Sequence, residues 1–124
     1  MAGPGSERGS GTRQAPSNTV KEREVRDALC RNLGAKTMTE VLTPSGSVDV
    51  LSENEVIEVK HYRFWKFGIG QAIAYGYYYP SHKKRLHLFA PKSDKRASKY
   101  IQLATPVCSA YGIEVTFEEV SHEN

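Results

Sequence analysis

The chain has 124 residues and a formal net charge of +3. That length supports one modest core and argues against a second folded domain. No stretch approaches the roughly 20 apolar residues of a membrane span, and so mild a charge does not by itself call for a polyanionic partner.

Residues Met1 to Ser17 are rich in Gly, Ser and Pro and lack an apolar run. They read as a disordered arm rather than a secretory signal or an anchor, ahead of one domain over 18–120 and a short tail over 121–124. Asn18 or Thr19 can cap a first helix that runs to about Leu33, with Gly34 as its stop. At about 100° per residue Val25, Leu29 and Leu33 form one apolar stripe, and Glu22 lies near the centre of that stripe. An acid there either answers the helix dipole or faces a site.

Thr37 to Thr43 alternates in character, Pro44-Ser45-Gly46-Ser47 makes a turn, and Val48-Asp49-Val50-Leu51 returns as the second arm of a hairpin. A polar turn, Ser52 to Glu55, leads into a third strand, Val56-Ile57-Glu58-Val59-Lys60. Alternation sends Ile57 and Val59 to one face and Glu58 and Lys60 to the other. After a short link a helix runs from Trp65 or Lys66 to Tyr79, ended by Pro80. Arg85 to Ala90 reads as a buried strand reached by a crossover, hence parallel to the strand of Glu58. Ser93 to Tyr111 supplies another helix, which Pro106 should kink or divide, and Ile113 to Val120 alternates as an outer strand does. The expected order is αβββαβαβ, an α/β fold.

Asp49, Glu58 and Lys60 are therefore expected to converge on neighbouring strands. Two carboxylates and an ammonium form a set that can hold a hard divalent cation and hydrolyse a phosphodiester, with the Val59 carbonyl as a further oxygen ligand. Lys60 would face the attacking water or the phosphate, and Glu22 would complete the surroundings of the ion or bind a second one. Between Lys60 and Lys99 ten basic residues (Lys60, Arg63, Lys66, Lys83, Lys84, Arg85, Lys92, Lys95, Arg96, Lys99) stand against one acid, Asp94. This one-signed middle suits a polyanion. Lys92, Lys95, Arg96 and Lys99 lie at helical spacing for phosphate contacts, and Trp65 with Tyr77, Tyr78 and Tyr79 can stack on bases or fill core. His61, His82, His87 and His122 share no ligand spacing; His61 is assigned no metal role, and His87 is read as structural, although it could line the side of the sheet that carries the acids. Cys30 and Cys108 lack paired-cysteine spacing and read as reduced thiols of an intracellular, reducing compartment.

Asp49 followed by Glu58-Val59-Lys60, after a helix bearing Glu22, resembles the PD-(D/E)XK nuclease superfamily, with Val48 where its namesake proline stands. Gln71 and Tyr75 in the next helix are similar to the Gln-x-x-x-Tyr motif of its RecB-like branch. The resemblance spans roughly Asn18 to Ala90. It implies a restriction-endonuclease-like αβββαβ core with a mixed central sheet flanked by helices, plus a C-terminal helix and strand. It further implies acids that bind Mg²⁺ or Mn²⁺, a lysine that aids the chemistry, Gln71 and Tyr75 binding the nucleic-acid strand near the site, DNA as the partner, and a homodimer. The alternative on the same fold is a catalytically silent module that binds nucleic acid or protein.

Overall fold

The structure is a computed structural model and describes residues 19–121. The expected arm over 1–17, the alternative cap Asn18, and His122 with the rest of the tail lie outside the described residues.

Helix α1 (Val20–Leu33) starts where the Thr19 hydroxyl accepts the Glu22 backbone N–H at 3.0 Å, and it ends at Gly34, whose φ of 113° suits a residue without a side chain. Its apolar stripe is shorter than expected. Val25 is buried and Leu29 partly so, but Leu33 is exposed. Strands β1 (Met38–Thr43), β2 (Gly46–Leu51) and β3 (Glu55–His61) form an antiparallel meander. A 3₁₀ turn (Tyr62–Phe64) and helix α2 (Trp65–Gly76) carry the chain over to β4 (Lys83–Pro91), and helix α3 (Ala97–Ala110) carries it to β5 (Ile113–Val120). Both crossovers produce parallel neighbours, so the five-stranded sheet is mixed and ordered β1-β2-β3-β4-β5. The order αβββαβαβ is the expected one.

Alternation along β3 separates two apolar layers. Ile57 and Val59 pack with Val25 of α1 and Phe89 of β4, while Val56 meets Tyr75 and Tyr79 on the side of α2. Under α2 and α3 the main core gathers Tyr62, Trp65, Leu86, Leu88, Ala104 and Cys108. Trp65 is therefore core, not a platform for bases, whereas Tyr77 and Tyr78 remain exposed. Both cysteines are free thiols.

Two helix boundaries and one interruption differ from expectation. Helix α2 stops at Gly76 because the Tyr78 and Tyr79 N–H groups donate to the carbonyls of Tyr75 and Gly76, three residues back, tightening the chain ahead of Pro80. Helix α3 begins at Ala97 rather than Ser93, because the Asp94 carboxylate accepts the Arg96 N–H at 3.1 Å and the Tyr62 hydroxyl at 2.6 Å and so holds a turn. Lys92, Lys95 and Arg96 consequently sit in a loop, and only Lys99 belongs to the helix. Pro106 does not divide α3, which is continuous to Ala110; the carbonyl that its missing N–H leaves free belongs to Gln102, an exposed residue within reach of water.

Gly46 combines a φ of 139° with close packing: a Cβ there would lie 2.6 Å from the Tyr75 hydroxyl oxygen. The hairpin can thus press against α2 only without a side chain at this position. Gly70 on α2 has open space around it. Gly46→Ala is expected to lower unfolding free energy by about 2 kcal/mol, and Gly70→Ala to raise it by roughly 0.5–1 kcal/mol, both read from urea denaturation. Equal effects of the two substitutions would contradict this packing.

Candidate functional site

Strand β2 loses its alternation at Asp49. Val50 packs with Ile57 and Val59, yet Val48, two residues away, packs with Leu51 and Val56 in the other layer. The register places Glu40 opposite Asp49, and Glu40 has a φ of 53°, so β1 is distorted at the same level. Regular pairing of β2 with β3 covers Val50↔Ile57 and Leu51↔Val56. Beyond it, side chains take over the bonding. The Asp49 carboxylate accepts the Val59 N–H at 2.8 Å, and the Glu58 carboxylate accepts the Asp49 N–H at 3.2 Å. Each acid thereby satisfies a backbone donor of the strand region opposite or beside it.

Glu22 reaches this place from α1. Thr19-Val20-Lys21-Glu22 has the form of a capping box, in which the glutamate would fold back on Thr19. Only the threonine half forms; the Glu22 carboxylate lies 3.8 Å from the Lys60 ammonium instead. The Glu22 backbone is thus held by the cap while its side chain turns to Lys60. Relative exposures of Glu22, Asp49, Glu58 and Lys60 are 3%, 8%, 1% and 3%. Four ionisable groups share a site with almost no water.

Burial dominates their electrostatics. The Glu58 carboxyl is pushed well above its ordinary range by desolvation and then by the charge of Asp49. Asp49 is raised by burial against the opposing pull of the Val59 N–H and Lys60. Of the two, Glu58 is the carboxyl whose charged form burial and its neighbour disfavour more strongly. Glu22 is pushed up to about 7, chiefly by burial, with Lys60 and Arg26 opposing the rise. Among the described residues its Oε2 has no hydrogen-bond partner.

Tyr75 comes from α2 to the same region, and Gln71 stands one turn before it on that helix. Tyr75 packs on Gly46, and its hydroxyl is raised by burial and by the charges of Glu58 and Asp49, which places it beside the acids. The Gln71 side-chain oxygen is buried without a hydrogen-bond partner. His87 is not on this side. Its register partner is Val59, so it points with Val59 into the layer away from Glu58 and Lys60, where its Nδ1 pairs with the Thr116 hydroxyl at 2.7 Å. Burial lowers it to about 4, which fits a neutral structural histidine. Lys92, Lys95 and Lys99 are exposed, and Arg96 is bound to Asp94 at 3.1 Å. Among the described residues no group of three His, Cys, Asp or Glu side chains forms a ready metal cluster.

Sequence reasoning missed Arg26. It is buried, pairs with Asp27 and with Glu40, and its positive charge acts on both Glu22 and Asp49. The available signal was its position four residues after Glu22, on the same helical face.

Three proteins of Acanthamoeba polyphaga mimivirus, each named as a KilA-N domain-containing protein, are similar to this chain. They are 40% identical over 72 residues, 42% over 73 and 36% over 78. These stretches are 58%, 59% and 63% of this chain but 28%, 19% and 21% of the relatives, so the chain spans a fifth to just over a quarter of the proteins it matches. No family model and no solved structure matches it. Among the described residues no helix is long and apolar enough to cross a membrane.

A carboxyl raised on folding binds protons more tightly in the native state, so its stabilising contribution is full at low pH and is lost as pH rises through the native value. For Glu22 that window runs from its ordinary 4.5 to about 7, a fall of about 3 kcal/mol. Glu22→Gln should remove this part of the slope. Denaturation curves are expected to show the variant more stable than wild type at pH 8 and nearly equal to it at pH 5; unchanged pH dependence would contradict the assignment.

Proposed function

We propose that this domain binds nucleic acid and hydrolyses its phosphodiester bonds with the aid of a divalent cation, as in the PD-(D/E)XK nucleases it resembles. The carrying observation is the burial of Glu22, Asp49, Glu58 and Lys60 together. Folding alone gains little from such a set, since apolar residues of similar size are often as stable or more so.

The donor set suits Mg²⁺ or Mn²⁺. Burial disfavours bare charge on Asp49 and Glu58, and a cation between the two carboxylates would offset that cost. With the Val59 carbonyl they would hold the ion, and when bound it would supply Lewis acidity to a phosphate oxygen and a water. The chain's own groups do the rest. Lys60 offsets charge that builds on the phosphate, and Glu22, 3.8 Å from it, orients the ammonium. Arg26 balances the acids from behind. Tyr75, packed on Gly46, fixes β2 against α2, and Gln71 and Tyr75 hold the nucleic-acid strand near the site. Exposed Lys92, Lys95 and Lys99 supply phosphate contacts that carry no sequence preference. DNA is the proposed polymer.

A second reading is a nucleic-acid-binding or protein-interaction module whose site is silent. It is favoured by the relatives, which are named for a domain and not for an enzyme activity. One panel separates the two. Linear, circular and single-stranded DNA are incubated with the protein and Mg²⁺ or Mn²⁺, and retention on DNA is measured across a salt titration. Cleavage by wild type is expected, with Asp49→Asn, Glu58→Gln and Lys60→Ala each slower by on the order of 10² or more and folded as judged by thermal melting. Salt-sensitive retention without cutting under either metal would favour the silent module and overturn the nuclease.

A further inference from the structure

A cavity of about 330 Å³ opens beside the buried acids, walled by Lys21, Glu22, His61, Arg63, Phe64 and Phe89. Three kinds of chemistry meet in it. The rings form an apolar wall: His61 lies 5.7 Å from Phe89 at an interplanar angle of 84°, and 6.2 Å from Phe64 at 62°. Lys21 and Arg63 bring positive charge. Glu22 lines the cavity with a buried side chain whose Oε2 is sealed from solvent, 3.8 Å from the Lys60 ammonium. Asp94 also borders the space, but Tyr62 and Arg96 already hold its carboxylate, at 2.6 Å and 3.1 Å.

We infer that this cavity is the seat for one unpaired nucleotide of the bound strand. The inference rests on the reading that the domain acts on nucleic acid, and it adds the form of the substrate. A base laid against the ring wall gains stacking, and its phosphate meets Lys21 and Arg63. Stacking needs only a ring face, which all four bases have, so the seat tolerates any of them. A base still inside a duplex is covered on both faces by its neighbours and cannot lie against that wall. The domain therefore engages single strands, frayed ends or extruded nucleotides. Glu22 links the seat to the reaction site, because the same carboxylate lines the cavity and lies 3.8 Å from Lys60. The volume falls within the usual range for small-molecule pockets, about 300 Å³ and upward.

The test is binding to the metal-free protein, followed by amide NMR, with thymidine 5′-monophosphate, thymidine and inorganic phosphate as separate probes. The nucleotide is expected to shift the signals of Lys21, His61, Arg63 and Phe64 and to bind at least about tenfold more tightly than either fragment, since only it engages rings and cations together. Arg63→Gln, at an exposed position, should weaken the nucleotide roughly fivefold and leave thymidine unaffected. Phe64→Ala should weaken nucleotide and thymidine alike, by roughly tenfold, the order of one stacked base; Phe64→Leu, which keeps the volume, serves if the alanine variant melts early. Shifts confined to other surfaces, or phosphate binding as tightly as the nucleotide, would overturn the inference. Because no cleavage is read, failure here is distinct from failure of the nuclease. Nucleotide bound in this cavity by a protein that cuts nothing leaves the seat standing, and DNA cut by a protein that ignores the nucleotide removes the seat alone.

Discussion

Asp49 and Glu58 must be buried at the level where β2 and β3 stop pairing regularly, and much of the fold accommodates that constraint. Two carboxylates in a dry place repel each other and forgo hydration. The structure answers in three ways. Each carboxylate accepts a backbone N–H, cationic Lys60 acts on both from β3, and Arg26 acts on Asp49 from α1. The positive φ of Glu40 and the reversed packing of Val48 and Val50 mark where the sheet bends around the acids.

Helices α1 and α2 have roles beyond covering the sheet. Helix α1 carries Glu22 and Arg26 on one face, so a single element supplies both an acid and a balancing cation. Helix α2 lays Tyr75 on Gly46 in the hairpin turn, and its Gly68 lets the helix approach Leu86 so closely that a Cβ would lie 2.4 Å from that side chain. At each contact a glycine on one element faces a large side chain on the other, Tyr75 or Leu86, and this sets the spacing between α2 and the sheet.

What the sequence disclosed follows from how local each signal is. Glu58 and Lys60 stood out because charges of one parity interrupted an apolar strand, and period two is a property of the strand itself. Thr19 and Gly34 bounded α1 by chemistry contained within a turn. The α3 start was misread because four-residue spacing of Lys92, Lys95, Arg96 and Lys99 is indifferent to whether Asp94 captures the Arg96 N–H first. The side taken by His87 depended on the parallel register with Val59, a long-range fact. The cavity of His61, Arg63 and Phe64 was hidden for a related reason: the 3₁₀ turn after β3 redirects these residues beside Glu22, which lies some forty positions earlier in the chain.

Central to the proposed chemistry is whether Asp49 and Glu58 together seat one divalent cation. Titration of Mn²⁺ into the metal-free protein, followed by electron paramagnetic resonance of the free ion, addresses that directly. One bound ion per chain is expected for wild type, with affinity rising as pH increases because the proton on Glu58 competes, and with binding abolished in both Asp49→Asn and Glu58→Gln. Binding undiminished in those variants, or none by wild type at millimolar Mn²⁺, would contradict it.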